Sequence, residues 1–276
     1  MGKIEFSGVR DFVKCSLKTL RHVGPDRLFL YGVRYLSWKL QFHRLIRSLP
    51  NPIATSFYVL IRGIVRRVIE SLNKIFPYKY TDADPYKKIP VDPSSINHTT
   101  EEIFSKRRGW VVNGEWDKKG EPYMQRTYAK AIEQRLVEGL AWRDTVLADE
   151  YDEAILEERA ESIERLYQHI REDGYKSQQQ LLEEDPDTAW SGLNDTMHPL
   201  ANEIAVDIGR DGEILWNMCG QHRLAIAKIL EIDRIPVQVF RRHRDWQSIR
   251  DRTRQGKEIP VEIQNHPDLA DIRKFE

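Results

Sequence analysis

From Ile204 to Val239 the apolar pattern of this chain switches from strand to helix and back to strand. Ile204, Val206 and Ile208 alternate with Ala205 and Asp207, which predicts a half-buried strand. Arg210-Asp211-Gly212 supplies a tight turn and Glu213 to Met218 returns, so the pair reads as a β-hairpin. Gly220 then opens a short helix to about Leu230. Its Leu224, Ala225, Ile226, Ala227, Ile229 and Leu230 leave almost no polar face, so the helix belongs in a core. Ile235, Val237 and Val239 alternate as a further strand, and Pro236 is tolerated near its start. Strands and a buried helix in this order predict an α+β fold built on a small mixed sheet.

The residues that carry chemistry sit where the hairpin enters the helix: Gly220, Gln221, His222 and Arg223. Glycine allows close approach to the backbone. The first amides of a helix lack internal acceptors and carry partial positive charge, so they favour an anion. Arg223 adds a planar fork suited to phosphate oxygens, and His222 can donate a hydrogen bond or exchange a proton near neutral pH. The bland alternative pairs Arg223 with a nearby carboxylate and makes His222 a packed or capping residue.

Asp211-Gly212, Cys219 to Leu224, Ala227-Lys228 and Ile235-Pro236-Val237 together resemble the core of ParB/sulfiredoxin-like domains. The strong resemblance covers 203–243, and a weaker one extends it to 87–250 with a helical insertion near 100–150. It implies that Gly220, Gln221, His222 and Arg223 hold phosphate, as the Gly-Glu-Arg-Arg box of ParB proteins does. Gln221 replaces the acidic residue of that box, which speaks against ParB-type CTP hydrolysis. No helix-turn-helix is legible after His243, which speaks against partition. Sulfiredoxins place a cysteine directly before His-Arg; here Cys219 stands two residues too early and reads as a small buried residue. The free serine kinases of this fold carry a similar Gly-His-His-Arg-like turn with a carboxylate base. By that analogy Glu203 and His222 are the catalytic candidates, with Arg241 joining the phosphate-binding set and Mg²⁺ accompanying ATP, ADP or CTP. The implied partner is a nucleotide or other phosphorylated small molecule.

Elsewhere the chain is divided by charge. Residues 1–75 hold 14 Lys/Arg against 4 Asp/Glu, although the whole chain is neutral. Apolar residues such as Leu28, Leu30, Val33 and Leu36, then Val59, Ile61, Ile64 and Val68, are mixed with arginines, so this region reads as basic amphipathic helices. They suit an anionic membrane surface or a protein partner. The break Ser48-Leu49-Pro50-Asn51-Pro52 separates them. Pro52 to Ile61 is too short to span a bilayer. The acidic remainder argues against nucleic acid. Residues 76–86 read as a linker, Ile89-Pro90-Val91 as extended, and residues 109–117 as a strand-like run with a turn at Asn113-Gly114. Helices are expected from about Met124 to Trp142 and from Asp152 to Glu172, with Gly174 as a C-cap. Residues 176–200 read as irregular and 251–276 as a tail. Arg241, Arg242, His243, Arg244 and Trp246 suit a nucleotide base and phosphate or a solvated strand end. Glu115 and Asp117 suit Mg²⁺ or, more commonly, plain surface exposure. Two cysteines, Cys15 and Cys219, indicate neither a disulfide framework nor a cysteine zinc site, so a reducing, cytoplasmic setting is expected, with peripheral membrane attachment as the variant. No secretory signal, Walker loop, Gly-x-Gly-x-x-Gly or Gly-x-Ser-x-Gly motif occurs.

Overall fold

The computed structural model describes residues 42–101, 107–191 and 196–272. The amphipathic pattern expected across 1–41 lies outside these residues. The protein is α+β, with eight helices and a mixed sheet of five strands among the described residues.

Helix α1 (Phe42–Arg47) ends before the proline break, and α2 (Asn51–Ile75) begins after Pro50, with Pro52 in its first turn where the missing amide costs nothing. Strand β1 (Lys88–Val91) and strand β2 (Trp110–Val112) lie along the same edge of the long β5 (Ile235–His243), β1 antiparallel and β2 parallel. The other edge of β5 pairs in parallel with β3 (Ile204–Ile208), which forms the expected hairpin with β4 (Ile214–Met218). The hairpin turn packs tightly: a Cβ on Gly212 would stand 2.7 Å from the Trp246 ring.

Helix α7 (Gln221–Ile229) lies on one face of the sheet with Leu224 to Ala227 fully buried. Burying each Leu or Ile side chain contributes ~1.5–3 kcal/mol, so this face alone fixes the helix in place. Helices α3 (Thr127–Leu136) and α4 (Glu153–Asp173) complete that layer, and Ile132 and Ile163 join Ile226, Val206 and Val239 in one core. The region expected as an insertion is thus part of the main core. Helix α3 is shorter than its periodicity suggested: Gly139 (φ 78°) follows its end, and single turns at Tyr123–Gln125 and Trp142–Asp144 flank it. Helix α4 matches the expectation, with Gly174 (φ 79°) just past its end.

Four expectations change. The stretch 176–200 contains helices α5 (Gln178–Glu184) and α6 (Pro186–Ser191). Ser177 and Gln180 close a capping box at the start of α5, a signal that the polar composition hid. Strand β3 is buried along its whole length rather than on one face, because the second face of the sheet is covered as well. There Ala205, Met218 and Phe240 form a small apolar cluster beside buried Asp207, Asn217, Gln238 and Arg241. The linker is packed: Tyr80, Thr81 and Ala83 are buried, and the Asn73 side-chain amide donates to the Tyr80 carbonyl at 2.7 Å.

The tail is likewise part of the body. Asp268 is fully buried and accepts from Arg242 Nε at 2.8 Å and from Trp246 Nε1 at 2.9 Å. Trp246 and Arg250 stand on α8 (Arg244–Arg254), which continues from β5. Arg250 pairs with Asp82 at 3.0 Å and with Asp271 at 3.1 Å. Linker, strand, helix and tail are therefore joined by one buried charge network. Such pairing joins residues far apart in sequence, which local patterns do not encode.

Candidate functional site at the start of α7

The chain leaves β4 through two successive left-handed residues, Cys219 (φ 61°) and Gly220 (φ 59°). For Cys219 this conformation is costly, and such strain persists only where the surroundings impose it. Gly220 is required twice over: by its φ, and because a Cβ would stand 2.5 Å from Ile204 Cγ1. Beyond it the Leu224 amide bonds to the Gly220 carbonyl at 2.9 Å. The amides of Gln221, His222 and Arg223 come before that first helical bond, and no described hydrogen bond uses them. This is the expected helix start, with its donors uncommitted. Cys219 is half-buried and in contact with the Met218 and Phe240 cluster.

Arg223 is placed beside the turn but is partly occupied. Its Nη2 donates to the Asn202 carbonyl at 2.6 Å, its Nη1 lies 3.6 Å from Glu203 Oε2, and its guanidinium is 5.7 Å from the Tyr175 ring centroid. Nη1 makes no hydrogen bond. Glu203 is fully buried. Its Oε1 accepts from the Gln178 amide at 2.8 Å and from Lys88 Nζ at 2.9 Å, and its Oε2 has no hydrogen-bond partner. Glu203 thus ties β1, α5 and α7 together. A carboxylate held this way is a structural hub with one uncommitted oxygen, not a solvent-facing base. Sequence reasoning brought Glu203 and Arg223 to the site; it missed Lys88, Tyr175, Gln178 and Asn202, of which only the capping box at Ser177 left a local trace.

His222 packs against Tyr128 with ring centroids 4.6 Å apart, and its Nε2 is buried without a partner. Burial, helped by the Arg159 charge, holds its pKa down at about 4. The imidazole is therefore neutral at physiological pH and brings no positive charge to an anion. Gln221 is half-buried, and its carbonyl accepts from the Tyr123 hydroxyl at 2.5 Å, which pins the first turn of α7.

Arg241 does not join the turn. It lies toward the other end of β5, fully buried, with Nε 2.6 Å from Asp207 Oδ2, a hydrogen bond to Thr100, and its guanidinium 3.9 Å from the Trp116 ring centroid. Its assignment to the phosphate-binding set is corrected: an arginine that neutralises a buried aspartate holds the sheet together. Arg242 is spent on Asp268, and Trp246 is buried, so neither forms an open base platform. Glu115 and Asp117 are not a cation site either. Asp117 accepts from the Arg210 backbone amide at 2.9 Å and from its Nε and Nη2 at 2.8 Å, and Glu115 takes Nη1 at 3.1 Å. Partial burial would raise the Asp117 pKa, but the Arg210 bonds outweigh it and draw it down to about 2.

The fold and this turn define an α+β protein whose mixed sheet presents a helix start with free amides beside an arginine–glutamate pair. No protein-family model matches the chain, and neither a curated protein nor a solved structure does.

Proposed function

We propose that this chain is a phosphate-binding module of the ParB/sulfiredoxin-like kind. It would take the phosphates of a nucleotide, with ATP, ADP and CTP as first candidates and Mg²⁺ as counter-ion, or of another phosphorylated small molecule. The observation that carries this reading is the strained Cys219–Gly220 turn, which delivers three uncommitted amides next to Arg223. Binding without turnover is favoured over phosphoryl transfer, because Glu203 is tied to Lys88 and Gln178 and His222 is neutral and packed. A thermal-shift screen against nucleotides with Mg²⁺ tests it, since a ligand bound only by the folded state raises Tm. Arg223→Gln should weaken binding roughly tenfold or more. A screen in which no nucleotide moves Tm overturns the reading.

A second element of function is supported by α2. Ile53, Leu60, Ile64, Val68 and Ile75 are exposed and recur at helical spacing along one face, with Arg67 and Lys74 at its border. We propose that this face lies on an anionic membrane surface, the arrangement that buries apolar side chains while basic ones meet lipid headgroups. No described helix is long and apolar enough to cross a membrane.

A further inference from the structure

On the face of the sheet opposite α7, two arginines pack against one tyrosine ring, and neither forms an ion pair among the described residues. Arg108 Nη1 donates to the Pro85 carbonyl at 3.1 Å and to Gln238 Oε1 at 2.7 Å. Its guanidinium lies 4.4 Å from the Tyr86 ring centroid and 4.2 Å from that of Phe240. Arg62, reaching in from α2, lies over the same Tyr86 ring at 4.9 Å and over Tyr58 at 6.0 Å. No carboxylate among the described residues forms an ion pair with either; Asp84, on the adjoining loop, is held by Arg66. The groups acting electrostatically on Arg108 include Tyr58, Tyr86, Cys219 and Arg62, none of them a carboxylate.

Two buried donors beside this pair are also unsatisfied. The Tyr58 hydroxyl belongs to a residue 3% exposed and has no hydrogen-bond partner. Gln238 is 0% exposed, and while its Oε1 accepts from Arg108, its Nε2 has no partner. Aromatic faces offset part of the cost of removing a guanidinium from water. They do not answer two like charges together with two orphaned donors, which are unfavourable unless an anion replaces the lost water.

We propose that Arg62, Arg108, Tyr58 and Gln238 form a second anion site, independent of the α7 turn, which takes the phosphate of a phosphate monoester. Two guanidiniums match a group carrying about −1.5 to −2 charge at pH 7, and the hydroxyl and amide supply neutral donors to its remaining oxygens. Tyr58 keeps its proton there and can donate it in a hydrogen bond, because burial pushes its pKa up to about 12. Arg62 also lines a groove of about 460 Å³ between α2 and α5. Arg62 is the one of the four that lines this groove, so an organic group carried on the phosphate would lie beyond Arg62, against Val59, Leu182 and Leu200.

The test uses the full chain with inorganic phosphate and phenyl phosphate, titrated calorimetrically at neutral pH against sodium chloride of equal ionic strength. Saturable binding of either probe is expected, and Arg62→Ala and Tyr58→Phe should each weaken it roughly tenfold to a hundredfold. Both variants should keep the parent's circular dichroism, Arg62 being only partly buried and Tyr58→Phe removing a hydroxyl that bonds to nothing. Tighter binding of phenyl phosphate than of inorganic phosphate supports a seat for the organic group in the groove; equal binding supports a site for the bare oxyanion. Arg223→Ala removes binding at the α7 turn, so the binding that persists in it is the part that Arg62→Ala and Tyr58→Phe should weaken. Loss of binding in Arg223→Ala but not in Arg62→Ala assigns the anion to the α7 turn and overturns this site, as does heat no greater than that of chloride.

Discussion

His222 and Gly220 adjoin at the same turn but answer to different physics. Burial keeps His222 neutral, with a folded pKa of about 4 against an ordinary value of 6.5, and His198, stacked on Tyr58, behaves the same way for the same first cause. The unfolded chain therefore binds more protons between these values. Stability is complete above pH 6.5 and is lost as the pH falls toward 4. Thermal melts across that range should show Tm falling with acid, and His222→Gln should flatten part of the slope; an unchanged profile would remove the case for a buried neutral imidazole. At Gly220 the constraint is steric. Gly220→Ala meets both a left-handed φ and the Ile204 side chain, and should cost ~1–3 kcal/mol in urea denaturation. A neutral result would mean that the turn relaxes freely, and a relaxed turn cannot hold its amides in place for an anion.

At the scale of the element, α2 has two apolar faces. Ala54, Tyr58 and Ile69 are buried against the body, with Tyr58 stacked on His198 at 4.7 Å and Ile69 packed with Tyr80 and Trp110. Ile53, Leu60, Ile64, Val68 and Ile75 face outward. Surface substitutions away from packing usually change stability within ±0.5 kcal/mol. Ile64→Asp should therefore leave Tm nearly unchanged while abolishing co-sedimentation with liposomes rich in anionic lipid. Binding that ignores both the substitution and the lipid charge would refute membrane docking. Helix α7 is the opposite case: its Leu224–Ala227 stretch is wholly internal and offers no side chain to a partner.

The molecule as a whole is held by buried arginine–aspartate contacts spanning its length. Arg241 meets Asp207 inside the sheet, and Asp268 collects Arg242, Arg250 and Trp246 from β5 and α8. Burial alone would raise the Asp268 pKa, but the two guanidiniums and the indole hold it well below the ordinary carboxylate range. Its contribution is therefore present above about pH 4, the ordinary unfolded value, and is lost as acid protonates it. Removing one partner leaves a buried charge unmatched, so Asp268→Ala should destabilise by about 3–5 kcal/mol and loosen 76–86 and 251–272 together. Hydrogen exchange would show both segments losing protection at once; loss in only one would mean that they are not coupled through this aspartate.

The strands β3, β4 and β5 and the helices α4 and α7 were legible in the sequence because period and caps are local properties. Alternating Ile204, Val206 and Ile208, the unbroken run at Leu224–Ala227 and the terminal Gly174 each act within a few residues. The Gly220–Arg223 turn was legible for the same reason. Chain length, charge and periodicity could not show that Arg241 belongs to Asp207, that Glu203 is held by Lys88 and the start of α5, or that 76–86 and 251–272 are clamped to the core. Nor could they place Arg62 beside Arg108 across the Tyr86 ring. Those pairings depend on which side chains the packed sheet brings face to face, and that is decided only when distant segments close on one another and exclude water.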